Sequence, residues 1–544
     1  MRVVLLLLLS FQLFAQVSLE ELQHSPKGHV RNFYIWQYMQ GDISSENSET
    51  AYGLMYKYNH KIHKLYIKKT KNKKVLEKER CSHLKTSSLL QEDDATCVST
   101  ALSYSRAMDL NNVQRQKLSL KLQKAYPKKS ERIALMNKKP FILGLLQSGN
   151  ENYVKLFNSV GTKYRRRYFN IKLPPERINE LAKVKGFNLM VRTIVMDKLM
   201  FRMQDSLLGL THSELNDKSY FFLALNALHF KATNKAMMYL ELSQKKAYFR
   251  IDQDKSVFWM YLISKDKKYL KKLSLSSDIN MYTLYANEKL GIEVKNYFCK
   301  RDLKDKESCI NLNNPYVWEK ALNEVRDANV TQLEGMLEKF NTKDDEAINA
   351  FIYARSLKYK QHNYIMPYKK VTDELSNDDK ALLYALAKQE SQFIPSALSR
   401  SYALGVMQMM PFLVDALAKQ KKEEVELNEM FNPYKNITYS KKHIRWIKKS
   451  LYHPLFIAYA YNGGMGFTRR HLETGTFTKG SFEPFLSMEL MSNTESREYG
   501  KKVLANYVIY KKILGEEVSI IELFDKLTNP LETDRFRPKY KVKR

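Results

Sequence analysis

Apolar residues recur at helical spacing along most of the chain. Residues 151–157, 178–184, 191–203 and 220–230 each present such a face, and short polar turns separate them. The stretch 221–230 followed by 234–242 predicts a helical hairpin. Ala224, Ala227, Ala236 and Tyr239 give it the small-against-aromatic pattern of a close helix pair. Residues 259–263 and 282–290 continue the series. No strict period fits, so residues 18–311 are expected to form a degenerate α-superhelix, a solenoid that curls toward a ring with an extended concave face. Asn313-Asn314-Pro315 interrupts the pattern, and 316–339 and 347–359 then read as further helices. We take 312–366 as a helical linker segment. Met366-Pro367-Tyr368 breaks the chain again, which starts a second domain at 367 and carries it to about 515.

That domain is organised around 382–411. Leu383, Leu386, Ala387 and Glu390 fall at i, i+3, i+4 and i+7 and share one helix face, with Ser376 as the expected N-cap. Glu390 thus ends the helix on its apolar side. A carboxyl there loses hydration, which raises its pKa toward what a general acid needs. Residues 396–405 are small and polar and read as turns, and 406–410 as an apolar wall. A helix over 412–418 leads to a polar insert at 421–426. An amphipathic helix is expected over 437–451 and a core helix over 454–461, stopped at Asn462-Gly463-Gly464 in left-handed backbone. A last long helix covers 495–514. Residues 516–544 form a basic C-terminal tail, expected to be mobile from about Thr528.

Four blocks along this stretch stand in a telling order: Glu390-Ser391, Gly405-Val406-Met407-Gln408-Met409-Met410-Pro411, Ala460-Tyr461-Asn462-Gly463-Gly464, and Glu495-Ser496-Arg497-Glu498-Tyr499. In this the chain resembles the soluble lytic transglycosylases, with Val406 for the family's Leu, Gly463 for Ala and Ser496 for Thr. The resemblance implies a lysozyme-like, mostly helical α+β catalytic domain behind the superhelix. It also implies cleavage of the β-1,4 bond between N-acetylmuramic acid and N-acetylglucosamine, leaving a 1,6-anhydromuramyl end. Glu390 would act as acid and then as base. Ser391, Gln408, Met410, Tyr461, Asn462 and Glu495 would contact substrate or shape its site; Glu489 and Glu483 are weaker candidates. No Asp or Glu occurs from Ser391 to Val414, where a second cleft acid would stand, so the pattern favours one acid over the usual two.

Composition narrows this further. The chain has 544 residues, 44% of them hydrophobic, with only 18 Gly and 14 Pro, which suits a large and mainly α protein. A formal net charge of +32 suits a polyanionic partner or a dispersed lysine bias. Residues 64–80, the densest basic run, read as a solvated helix and turn. Nucleic acid is not expected, for no RNP, zinc-finger or basic-zipper pattern occurs. No metal or cofactor is expected, as ligand clusters and phosphate loops are missing. Residues 1–15 read as a signal peptide, with Arg2 before a short apolar run, which predicts export to a bacterial periplasm. In that compartment, Cys81 with Cys97 and Cys299 with Cys309 are expected to form two local disulfides, each worth about 3 kcal/mol. The expected partners are peptidoglycan glycan strands, with other cell-wall enzymes left open, and the chain is expected to be a monomer. Two rival readings stay open: a hydrolytic muramidase, and a non-catalytic wall-binding scaffold.

Overall fold

The computed structural model describes residues 17–211 and 214–537, so the expected signal segment and the last seven residues lie outside the described residues. The described chain is mainly helical, and none of its helices is long and apolar enough to cross a membrane. It forms two compact units, each drawn from two stretches: Met1–Leu76 with Phe298–Trp446, and Glu77–Tyr297 with Ile447–Arg544.

In the second unit the expected helical hairpin is present as Asp217–His229 and Thr233–Lys246. Arg250–Ser264, Lys267–Ser274 and Met281–Leu290 follow, each packed on the one before. Asn216, Asp266 and Asn280 accept hydrogen bonds from backbone amides in the first turns of their helices, which fixes where three of these begin. Aromatic rings fill the seam: Phe221 meets Trp259 at 6.0 Å, and Phe258 meets Tyr282 at 5.2 Å and Phe485 at 4.9 Å. The stack therefore shares its core with the end of the chain. The expected helix over 191–203 is split into Phe187–Met196 and Phe201–Ser206. Asp197 accepts from the Leu199 amide and from Arg166, which stabilises a turn there.

The C-terminal tail departs from expectation. Residues 516–537 are folded, with helices Ile520–Lys526 and Pro530–Thr533. Arg537 is buried and donates to Asp534 at 2.7 Å and to the carbonyls of Phe477 and Leu527 at 2.9 and 3.0 Å. Its guanidinium stacks over Phe456 at 5.2 Å. Its basic composition concealed one arginine that serves as a core residue. Cys81 and Cys97 are joined by a disulfide across two short helical segments.

The first unit places N-terminal helices with the Glu390 stretch. His29–Tyr38 starts at Gly28 without a side-chain cap of its own, and Glu319 supplies one, accepting from the His29 amide at 2.6 Å. A Cβ on Gly28 would lie 2.0 Å from that carboxylate, so a larger residue there would push the Glu319 side chain aside. Phe33 and Trp36 on this helix flank Tyr402 at 5.6 and 5.1 Å, and the Tyr402 hydroxyl donates to the Asn32 carbonyl at 3.2 Å. The stretch 316–339, read as one helix, is two: Pro315–Asp327 and Val330–Lys339. Asn329 forms a reciprocal capping box with Gln332 that starts the second.

The expected Cys299–Cys309 disulfide is not formed: Cys299 is half-buried and Cys309 exposed, both as free thiols. Each end of this loop is held by a different neighbour. The Phe298 carbonyl accepts from Tyr364, whereas Lys304 pairs with Thr342 and Ser308 donates to Asp345 at 2.7 Å. Closeness in sequence did not translate into closeness of the two sulfurs.

Candidate active site

The first unit carries Glu390, Ser391, Gln408 and Met410. Ser376 Oγ accepts from the Asp379 amide at 3.2 Å and begins the helix Asn377–Ser391. Residues 381–388 are buried throughout, so the helix is an internal strut rather than an amphipathic surface helix. Lys388 spends its ammonium inside, donating to the Asn363 carbonyl and lying 4.4 Å over the Tyr364 ring. Glu390 and Ser391 are the last two residues and are half-buried. Gln392 and Phe393 then take positive φ, +56° and +68°, and turn the chain sharply away from the helix end.

Ser391 Oγ donates to the Val406 carbonyl at 2.7 Å, which ties the end of the helix to the apolar wall. That wall is a tight hairpin. Leu404 and Met409 exchange both backbone hydrogen bonds, at 3.0 and 2.9 Å, around the turn 405–408. Gly405 (φ +72°) and Gln408 (φ +48°) take left-handed backbone to close it. A Cβ on Gly405 would stand 2.2 Å from the Met430 carbonyl and 2.5 Å from Asn436 Nδ2. The Gln408 amide nitrogen donates to the Ala397 and Gly405 carbonyls at 3.1 and 2.9 Å. Both donors are thereby used within the protein, and toward an acetamido group Gln408 offers its oxygen as an acceptor. Met410 is half-buried at the N-cap of the helix Pro411–Lys421. Among the described residues the strand content expected of the domain appears as isolated bridges, Leu398–Leu404 and Leu404–Met409 in the first unit and Leu451–Asp534 in the second.

Sequence reasoning missed Asn436. It is fully buried; its Oδ1 accepts from the Met407 amide at 2.8 Å, and its Nδ2 donates to the Leu404 and Met430 carbonyls, each at 2.9 Å. One side chain thus braces both limbs of the Gln408 turn. Within the sequence it was an unremarked polar residue after a turn; its place three residues past Pro433, on the inner face of a helix, was the available clue.

The second unit carries the other named residues. Tyr461, Asn462 and Gly463 end the helix Pro454–Gly463, which packs against Thr494–Ile513. Ser496 Oγ donates to Asn462 Oδ1 at 2.8 Å, and Asn462 Nδ2 approaches the exposed Glu495 at 3.5 Å. A Cβ on Gly463 would lie 2.5 Å from Ser496 Oγ, so the two departures from the family pattern, Gly463 and Ser496, meet at one contact. Gly464 follows with φ +84°, ending the helix by a positive-φ glycine.

Arg497 does not pair with Glu495. It is buried, donating to Glu498 at 2.7 Å and to the Glu489 carbonyl at 3.1 Å. Beside it Lys501 contacts both oxygens of Glu489, at 2.8 and 2.7 Å, and Tyr282 donates to the same carboxylate at 2.9 Å. These cations pull the Glu498 carboxyl far below its usual range, against the effect of burial. Glu489 is therefore committed to an internal ion pair. Glu483 accepts from the Ser487 amide and hydroxyl, and burial raises its pKa.

Residues 368–481 match the family described as "Transglycosylase SLT domain", so the chain carries a soluble lytic transglycosylase domain. Its structure is similar to that of an inactive variant of the lytic transglycosylase Slt from Pseudomonas aeruginosa (15% identity, TM-score 0.45, 92% of this chain and 84% of that one). It is also similar to the 70-kDa soluble lytic transglycosylase of Escherichia coli (15% identity, TM-score 0.41, 94% and 84%). A third similar structure is a complex of the 70-kDa soluble lytic transglycosylase with bulgecin A (14% identity, TM-score 0.41, 92% and 89%). Among curated protein sequences no relative is matched.

Proposed function

We propose that this protein is an exported peptidoglycan lytic transglycosylase with Glu390 as its only proton carrier. The reading rests on one observation above all. The SLT match at 368–481 encloses a glutamate at the solvent-reaching end of a buried helix, tied through Ser391 to the Gln408 hairpin. Glu390 as carboxylic acid protonates the glycosidic oxygen, and the bond from that oxygen to the muramyl C1 breaks. The C1 centre is left oxocarbenium-like. The C6 hydroxyl of the same sugar then attacks C1, and the Glu390 carboxylate takes the hydroxyl proton, so the enzyme ends as it began. No water enters the product. Attack from within one ring draws on high effective molarity. The Gln408 oxygen, with its amide nitrogen anchored, accepts from a substrate acetamido N–H.

The test is digestion of purified sacculi by the full chain and by Glu390→Gln. Soluble muropeptides released by the first and not by the second support the reading. Equal release by both overturns it. Export is checked separately, by N-terminal sequencing of the protein recovered from the periplasm.

A further inference from the structure

In the second unit, Thr233–Lys246, Arg250–Ser264, Lys267–Ser274 and Met281–Leu290 pack in order and are joined by short turns, so consecutive helices run antiparallel. The turns 247–249 and 275–280 therefore emerge at the same end of the stack. Polar contacts tie the two together. Arg250 Nε donates to Ser276 Oγ at 3.0 Å, Ser276 Oγ donates to the buried Asp254 at 2.7 Å, and Arg250 reaches the same carboxylate at 3.3 Å. Asn280 Nδ2 adds a bond to Asp254 at 2.9 Å. What these braced turns hold outward is apolar. Tyr248 is 87% exposed, Phe249 62% and Leu275 83%. Tyr248 and Phe249 meet edge to face at 5.1 Å. Leu270 and Leu273, just before Leu275, are buried, so the leucine at the tip stands apart from the core its neighbours fill.

The charge around these side chains is one-sided. Lys245 lies in the last turn of Thr233–Lys246, and Lys271 and Lys272 in the last turn of Lys267–Ser274. All three are exposed, and their ammonium groups make no ion pair or hydrogen bond among the described residues. The carboxylates at this end are engaged: Glu214 pairs with Lys246, and Asp278 accepts from Asn280 at 3.0 Å. Glu241 is exposed but stands a full helical turn before Lys245. Lysines in a last turn offset the helix dipole whatever the partner. That does not account for two aromatic rings and a leucine at the outermost points. A protein partner holds its anchors in pockets of a broad, dried face, whereas these stand at turn tips with free ammonium groups beside them. An anionic lipid surface matches that profile. Tyr and Phe suit its headgroup boundary, Leu the acyl chains beneath, and lysine stems reach back to the phosphates.

We propose that this end of the stack docks on an anionic phospholipid surface, with Tyr248, Phe249 and Leu275 entering the headgroup layer and Lys245, Lys271 and Lys272 on the phosphates. The contact is peripheral and made by two turns. It goes beyond the activity proposed above and does not depend on it.

The test is co-sedimentation of the full chain with vesicles of phosphatidylethanolamine and phosphatidylglycerol, and with vesicles of phosphatidylcholine alone. A net charge of +32 draws the chain toward any anionic surface, so charge alone cannot decide the matter. The deciding variant is the triple change Tyr248→Ser, Phe249→Ser, Leu275→Ser, which keeps every charge. It should bind the anionic vesicles about tenfold or more weakly than wild type, with an unchanged melting temperature. Changing Lys245, Lys271 and Lys272 to Gln should weaken binding by about fivefold per lysine. Wild type should bind phosphatidylcholine about tenfold or more weakly than the anionic vesicles. Equal affinity of wild type and the serine variant for anionic vesicles overturns the proposal, as does equal affinity of wild type for both vesicle types. A dimer formed by wild type without lipid and lost in the serine variant also overturns it, for the occupant would then be a second copy of the chain. Sacculus digestion without lipid should run at the same rate in wild type and the serine variant. Slower digestion by the variant would make these side chains wall contacts and contradict the lipid assignment.

Discussion

Glu390 and Glu489 both stand at the C-terminal end of a helix, Asn377–Ser391 for one and Phe485–Glu489 for the other. A carboxylate is unfavourable at that end of a helix dipole, and the two sites meet the cost differently. At Glu489, 2% exposed, Lys501 holds both oxygens, Tyr282 adds a third bond and Arg497 takes the backbone carbonyl. Glu390 is only half-buried, and the hydroxyl next to it goes to the hairpin rather than to the carboxyl. The first arrangement fixes a charge in place and joins Met281–Leu290 to Thr494–Ile513. The second keeps a carboxyl in reach of solvent while its surroundings are braced by backbone bonds. On the reading proposed above Glu390 is the reactive acid and Glu489 the structural one, and the two differ in burial: Glu489 is 2% exposed and Glu390 half-buried.

Exchanging roles gives the largest expected effect. Glu390→Gln should lower sacculus turnover by about 10²- to 10⁴-fold, the range of a general acid–base contribution, while its melting temperature stays at the wild-type value. A large loss of thermal stability in that variant would class Glu390 with Glu489. The converse change, Lys501→Ala, leaves Glu489 buried without its cation and should destabilise the fold by about 3–5 kcal/mol. Denaturant unfolding measures it, and a loss under about 1 kcal/mol would mean that the pair contributes little beyond its own desolvation. Next comes Gly405→Ala, which combines a positive φ with a Cβ 2.2 Å from the Met430 carbonyl. It should cost about 1–3 kcal/mol and lower turnover as well, because the Gln408 turn has to shift. Full activity in a folded Gly405→Ala protein would show that the hairpin need not hold its position.

A change of pH acts more gradually. His453 is buried, with Nε2 donating to the Leu523 carbonyl and Nδ1 accepting from the Leu455 amide, and burial pushes its pKa from 6.5 down to about 3. In the unfolded chain the ring binds a proton below pH 6.5; in the fold it does so only near pH 3. The unfolded state thus holds more protons in that window, and stability should fall as pH falls, by about 1.4 kcal/mol per unit from His453. His443 and His471, both lowered to about 4, act in the same direction. Asp254, raised by burial from 3.8 to about 6, acts in the opposite one between those values. Melting temperatures from pH 7 to pH 4 should therefore decline, and a rise would contradict the histidine assignment.

The sequence made the local parts of this molecule readable. Ser376 as a cap, Glu390 near the end of its helix, and the helix ends at 463 and 513, expected at 461 and 514, are all governed by neighbours within a few residues. It did not reveal contacts made across hundreds of residues. Nothing near Tyr402 shows that Phe33 and Trp36 enclose it, and nothing near Gly28 shows that Glu319 caps its helix. Charged residues misled most. Arg497, Lys501 and Arg537 look like surface residues by type and are buried, each with a carboxylate partner: Glu498 for Arg497, Glu489 for Lys501 and Asp534 for Arg537. Cys299 and Cys309 erred in the opposite sense, near in sequence and held apart by separate loop contacts.

The central claim is that one carboxyl, without water, cuts the glycan. It is tested most directly by running the full wild-type chain on purified sacculi in water enriched in heavy oxygen, with mass analysis of the released ends. The account predicts 1,6-anhydromuramyl ends, one water lighter than reducing ends and free of the heavy isotope. Reducing ends carrying heavy oxygen at C1 would contradict it and make the enzyme a muramidase.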